Sequence, residues 1–186
     1  MDLSTWLVDE LDDTVLRLST QVLEIVPAEV RRERFPGGNS IDWAVFHVAR
    51  HAALALRVAG HDPAMSDSLL AGLDPSVTAP ASGLHEVQQP FLEFIETPLL
   101  EAYALSVLDE VRAYLSHLDE ATLEVAPDVA GGLRSAGIDE GEFGWLYSMW
   151  SASRGFLVRW PMIGHVTNHV GEMIATRNQL GLSPFR

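Results

Sequence analysis

Residues 40–59 have the sequence SIDWAVFHVARHAALALRVA, and the apolar character of this stretch decides the fold class. It predicts a helix from about Ile41 to Ala59, with Ser40 as its N-cap. Only five side chains interrupt the apolar run: Asp42, His47, Arg50, His51 and Arg57. Because successive residues turn by about 100°, the aspartate and the two arginines lie on one side of this helix and the two histidines on the other. Histidines on the apolar side of a helix require an explanation.

Apolar residues recur at helical spacing in several other segments, and no segment alternates between polar and apolar residues as a strand would. The further predicted helices are Leu3–Val26, Leu99–Leu118, residues 143–154 and Pro161–Leu180. Ser4 is the expected N-cap of the first helix, and Pro161 is expected in the first turn of the last one. We therefore predict an all-α single domain over residues 1–186, in which four long helices form a bundle.

Two long connections separate these helices, His61–Pro98 and Asp119–Glu142. Both are irregular in sequence, and the first is interrupted by prolines. We expect only short helical pieces in the first connection, near Met65–Leu73 and Phe91–Phe94. Since connections of this length commonly form lids, crossovers or binding loops, we expect His61–Pro98 to line a functional cleft.

The chain of 186 residues contains no cysteine, which excludes disulfides, thiolate metal sites and a cysteine nucleophile. Any metal ion must be bound by His, Asp or Glu, and any thiol chemistry needs a thiol from a substrate or cofactor. No apolar run approaches the roughly 18 residues that span a bilayer. The N-terminal residues are acidic where an export signal would be basic. We therefore expect a cytoplasmic protein with no membrane partner.

The last predicted helix carries a second group of polar residues, within the sequence HVTNHVGE at 165–172. His165 and His169 lie on the same helix face, and Glu172 falls within about 20° of His165 around the axis. Two imidazoles at this spacing can bind one ion, and His47 supplies a third from another helix. Three imidazoles are the minimum for a metal site that keeps positions open for water or substrate. We expect their nearest ring nitrogens to lie about 3–4 Å apart.

Other side chains near this group leave alternatives open. Glu172 is a fourth ligand, a catalytic general base, a residue that orients a ligand histidine, or a solvated carboxylate. His51 is a packed histidine that supports the ligands, or an additional imidazole ligand. The tryptophans, including Trp145, Trp150 and Trp160, are expected to pack the bundle rather than to bind a cofactor.

Two segments resemble the DinB-like superfamily. Residues 37–50, GGNSIDWAVFHVAR, are similar to its second helix, where a histidine lies in a W-x-x-x-H-x-A pattern. Residues 165–182, HVTNHVGEMIATRNQLGL, are similar to its terminal helix, where H-x-x-x-H precedes a leucine-rich end. The resemblance implies a four-helix bundle of DinB-like topology, with a divalent metal ion, usually nickel or zinc, bound by His47, His165 and His169. Both long connections exceed the length that is usual in the family.

By the same resemblance, the protein is expected to be an enzyme that transfers or isomerises a small-molecule substrate. It would use a low-molecular-weight thiol such as bacillithiol or mycothiol. A bound metal ion would lower the pKa of the thiol and supply a thiolate that attacks an electrophile. The alternative is a non-catalytic helical module that binds metal or dimerises. The sequence leaves the substrate, the metal and the formation of a homodimer open.

The charge of the chain predicts that it does not bind nucleic acid. The net charge is −14, from 26 acidic and 12 basic residues, and this opposes contact with phosphates. The basic residues are scattered, apart from one cluster at Arg31, Arg32 and Arg34. We expect no binding to duplex DNA at physiological salt, measured as the fluorescence anisotropy of a labelled duplex. Tight binding that weakens as salt is raised would contradict this expectation.

Overall fold

The computed structural model describes residues 2–87 and 89–185, and the regular secondary structure within these ranges is entirely helical. In chain order, the α-helices are α1 (Leu3–Leu18), α2 (Ile41–Val58), α3 (Ala64–Leu70), α4 (Pro75–Thr78), α5 (Thr97–Ser116), α6 (Val129–Ser135), α7 (Glu140–Trp150), α8 (Arg154–Leu157) and α9 (His165–Gln179). Two π-helical segments, Ser19–Leu23 and Val158–Gly164, continue from α1 and α8. The prediction of an all-α fold is confirmed.

Helix α2 lies at the centre of the long helices. It packs against α5 and α9, and α1 packs against the same two helices. Every residue of α2 except Arg57 is buried. Even Asp42 lies in the interior, where its Oδ2 accepts hydrogen bonds from Thr97 Oγ1 (2.7 Å) and Arg32 Nε (3.0 Å). Asp42 therefore finds its partners inside the protein.

The N-cap prediction is confirmed for α2 and wrong for α1. Ser40 Oγ accepts a hydrogen bond from the backbone N–H three residues further on (3.2 Å). Helix α1 begins directly after Asp2, whose carboxylate accepts a hydrogen bond from the N–H of Thr5 (2.8 Å). Ser4 already lies in the first turn, and its hydroxyl donates to the carbonyl of Leu118 instead (3.2 Å).

The last helix begins earlier than predicted. The helical path starts at α8, where Ser153 Oγ accepts a hydrogen bond from the N–H of Phe156 (3.1 Å), and it runs through Val158–Gly164 into α9. Pro161 lies inside this π-helical segment rather than in a first turn. Since proline has no N–H, the interior of a regular α-helix tolerates it poorly, and the chain adopts a wider turn here. This turn leads directly into His165.

The long connections contain short helices separated by turns. His61–Pro98 includes α3, α4 and a 3-10 helix at Pro90–Phe94, so both predicted helical pieces are observed. Between α4 and this 3-10 helix, the segment 79–87 has no helix and lies against α2. Among the described residues, no helix is long and apolar enough to cross a bilayer.

Two leucines of α1 provide a matched test of how far the core stabilises the fold. Leu11 has 0% exposure, whereas Leu16 on the same helix is 59% exposed. Replacing Leu11 with Ala leaves a cavity, so the free energy of unfolding should fall by about 2–5 kcal/mol. The same change at Leu16 should alter it by less than about 0.5 kcal/mol. Urea unfolding of the two variants measures both values, and equal effects would contradict the packing described.

Candidate metal centre

Three histidine rings from two helices meet in the space between them. His47 projects from α2, and His165 and His169 lie one turn apart on α9. The ring centroids are 4.9 Å apart for His47 and His165, 4.8 Å for His47 and His169, and 4.6 Å for His165 and His169. Because α2 and α9 pack side by side, residues more than 110 positions apart in the sequence form one group.

The backbone fixes the position of the proton on His47. Its Nδ1 lies 2.7 Å from the carbonyl oxygen of Gly83 and donates a hydrogen bond to it. The neutral ring then carries its lone pair on Nε2, which is buried and has no hydrogen-bond partner among the described residues. Burial and, to a smaller extent, the neighbouring His169 lower the pKa of His47 to about 4. A buried nitrogen lone pair that accepts no hydrogen bond is suited to bind a metal ion.

Glu172 holds His169 in the same tautomer. Nδ1 of His169 donates to Oε2 of Glu172 at 2.7 Å, and this hydrogen bond lowers the pKa of the carboxyl group. The lone pair of His169 therefore lies on Nε2, which is 3.2 Å from Nε2 of His165. This separation falls in the range of 3–4 Å expected for two ligands of one ion. Among the roles left open for Glu172, the contact favours orientation of His169.

His165 is a neutral imidazole in the interior. Its Nδ1 is buried and has no hydrogen-bond partner in the part of the chain that the structure describes. Burial lowers its pKa well below the usual range, and the nearby rings of His51, His47 and His169 lower it further. Near neutral pH, His165 and His47 are therefore both in the uncharged form that binds metal ions.

Glu86 joins the three histidines at their exposed side. Its Oε2 lies 3.8 Å from Nε2 of His47. One candidate ligand atom from each of the four side chains lies within 4.8 Å of the others. Two ligands that are each 2.0–2.1 Å from one ion are at most about 4.2 Å apart, so the widest separation must close slightly on binding. Three imidazoles and one carboxylate form a donor set that suits zinc or nickel.

The group is buried on one side and open to solvent on the other. The side chain of His47 is 1% exposed, whereas those of His169 and Glu86 are 13% and 64% exposed. The connection His61–Pro98 contributes both Glu86 and the carbonyl of Gly83, so it forms one side of the group. Solvent therefore reaches the group at the side formed by His169 and Glu86.

His51 packs against the histidine group. Its ring centroid lies 4.6 Å from that of His47 and 4.7 Å from that of His165. Its Nε2 donates a hydrogen bond to the carbonyl oxygen of Leu84 (3.1 Å), and burial lowers its pKa to about 3. These contacts favour a packed residue that supports the group over an additional ligand.

Tryptophan rings surround the histidines on several sides. The ring pairs and their centroid distances are Trp43 and His47 (6.0 Å), Trp145 and His51 (6.1 Å), Trp150 and His51 (6.2 Å), and Trp160 and His165 (5.8 Å). Trp150 is buried, as expected from the sequence. Trp145 is 41% exposed, yet its ring lies near that of the buried His51, so it packs at the edge of the helices.

Comparison of the chain with models of protein families, with curated proteins and with solved structures gives no match in any of the three.

Replacing His169 with Ala tests whether the histidines bind one ion. The change removes one of three imidazoles and leaves the core in place, so we expect metal loading to be abolished while circular dichroism still shows a folded helical protein. His117→Ala, which changes an exposed histidine outside the group, is the matched control and should load normally. Metal content of protein purified without a histidine tag gives the result, and full loading of the His169 variant would contradict the site.

Proposed function

We propose that the protein is a metal-dependent enzyme of the DinB-like superfamily, with a four-helix bundle of that topology, and that it works in the cytoplasm. In this proposal, His47, His165 and His169 bind zinc or nickel. The observation that carries it is the convergence of three imidazoles around the buried, unpartnered Nε2 of His47. The sequence similarities at residues 37–50 and 165–182 support the same assignment.

The residues around the histidines prepare the site for binding. The carbonyl of Gly83 and the carboxylate of Glu172 accept the Nδ1 protons of His47 and His169, so both rings present Nε2 to one point. Hydrogen bonds of this kind hold ligand rings in orientation and raise their basicity. A divalent ion bound there would act as a Lewis acid and lower the pKa of a thiol or water molecule that reaches it.

A low-molecular-weight thiol is the proposed cosubstrate, and a small electrophile is the proposed substrate. The chain has no cysteine of its own, so any thiol must enter from outside. Glu86 is mostly exposed and lies beside the open side of the group. In this proposal its carboxylate would bind the ion until a thiol displaces it, and the freed carboxylate would then accept the proton that the thiol loses.

A second candidate function is a non-catalytic metal site. The observation that favours it is the position of Glu86, whose carboxylate can complete a set of four ligands. Structural zinc sites are closed in this way, whereas catalytic sites keep one position for water or substrate. The two functions therefore differ in whether an external ligand can enter beside Glu86.

Addition of a thiol to cobalt-loaded protein distinguishes a catalytic site from a non-catalytic one. If the site is catalytic, a small thiol such as 2-mercaptoethanol should enter and produce a sulfur-to-cobalt charge-transfer band in the near-ultraviolet. Glu172→Gln should then reduce the rate of thiol addition to a small electrophile more than it reduces metal loading, because the amide still accepts a hydrogen bond from His169 but lacks the charge.

The contrary results are equally specific. A cobalt spectrum that does not respond to thiol would indicate a closed site and favour the non-catalytic function. Equal losses of loading and rate in Glu172→Gln would show that the carboxylate acts only in binding the metal.

A further inference from the structure

Helix α2 presents three polar side chains to one irregular segment of the chain. His47, Arg50 and His51 occupy positions i, i+3 and i+4, which are neighbours on a helix surface, so the predicted separation of Arg50 from the two histidines is wrong. All three donate hydrogen bonds to backbone carbonyls of residues 79–84. We call residues 79–86 the strap, because they cross this face of α2 and end at Glu86.

Arg50 makes the largest set of these contacts. Its Nε donates to the carbonyl of Ser82, and its Nη2 donates to the carbonyls of Ala79 and Pro80, all at 3.0 Å. The side chain is buried, and within residues 2–87 and 89–185 no carboxylate lies at ion-pair distance from it. The guanidinium group therefore holds the backbone carbonyls of the strap in position, and its planar array of N–H donors is suited to this role.

Residues 83–86 of the strap carry the backbone and side-chain groups that contact the histidines. Directly after Ser82, the carbonyl of Gly83 accepts the proton of His47 and the carbonyl of Leu84 accepts that of His51. Two residues later, the carboxylate of Glu86 reaches the open side of the group. The position of residues 79–82, which Arg50 binds, therefore determines where the carbonyls of Gly83 and Leu84 and the carboxylate of Glu86 lie.

Close packing leaves the strap little freedom to shift at Gly83. This glycine has a φ of +78°, a conformation that favours glycine. A Cβ atom there would lie 2.8 Å from Phe46 Cδ1 and 2.9 Å from Arg50 Cγ. The backbone thus rests directly on α2, and the Arg50 side chain is part of the surface on which it rests.

We propose that Arg50 is a positioning residue of the metal centre. Its hydrogen bonds hold the strap in place, so that the carbonyl of Gly83 fixes the tautomer of His47 and the carboxylate of Glu86 reaches the ion. This inference rests on the proposed metal-binding function. Arg50 does not itself contact the ligand group through any hydrogen bond. Its effect is transmitted through the backbone between Ser82 and Glu86.

The test compares Arg50→Ala and Arg50→Lys with Arg57→Ala. Arg57 lies two turns further along α2, lines the same cavity of about 410 Å³, and pairs with Asp67 outside the strap, so it is a matched control. The measurements are cobalt affinity, the visible spectrum of bound cobalt, and hydrogen exchange of the strap amides in metal-free protein.

We expect Arg50→Ala to weaken cobalt binding by about tenfold or more, the range found when a group supporting a ligand is lost. Its cobalt spectrum should change and its strap amides should exchange faster, while Arg57→Ala leaves all three readouts unchanged. The cobalt affinity of Arg50→Lys should lie between those of wild type and Arg50→Ala. A lysine carries its three donors on one nitrogen, whereas Arg50 binds the three carbonyls through two separate nitrogens. Adding Glu86→Ala to Arg50→Ala should weaken binding by less than the same change does in the wild type, because both changes act on one group.

Other outcomes would overturn the proposal. Unchanged cobalt affinity in Arg50→Ala, or fully additive effects with Glu86→Ala, would show that the strap does not depend on Arg50. If both Arg50 variants fail to fold while Arg57→Ala folds, Arg50 serves general stability rather than positioning. If wild-type protein does not bind cobalt, the metal centre itself is wrong. Normal binding in wild type together with normal binding in Arg50→Ala would refute only the role of Arg50.

Discussion

The burial of α2 is the constraint on which the rest of the structure depends. Polar groups that leave water must find hydrogen-bond partners inside the protein, because each unsatisfied one costs about 1–3 kcal/mol. Helix α2 is enclosed up to Arg57 and yet carries Asp42, two histidines and Arg50. Its own backbone groups are engaged in the helix, so the partners have to come from elsewhere in the chain.

The irregular connection after α3 supplies most of these partners. A regular helix has no free carbonyls along its length, whereas the turns of the strap present successive carbonyls to α2. The need to satisfy Arg50, His47 and His51 therefore explains why an irregular segment lies against this buried helix. Within residues 2–87 and 89–185, Nε2 of His47 and Nδ1 of His165 are two of six buried side-chain atoms that have no hydrogen-bond partner. What sets these two atoms apart is that they lie on neighbouring imidazoles of one histidine group, and a metal ion would satisfy the lone pair on Nε2 of His47.

The local parts of this arrangement could be predicted from the sequence. Apolar spacing identified the long helices, and the four-residue interval between His165 and His169 placed both on one face. The inward direction of His47 followed from the rotation of α2. The position of Glu86 could not be predicted, because no periodicity links a turn residue to a helix about 40 positions earlier. The helical path through Pro161 was missed for a related reason, since packing against α2 outweighs the local preference of proline.

The central claim is that His47, His165 and His169 bind one divalent ion. X-ray absorption at the zinc edge, measured on wild-type protein purified without a histidine tag and loaded with one equivalent of zinc, tests it most directly. The account predicts the scattering of three imidazole rings, with nitrogens about 2.0–2.1 Å from the metal. A spectrum that contains only oxygen ligands, without the outer scattering of imidazole, would contradict it.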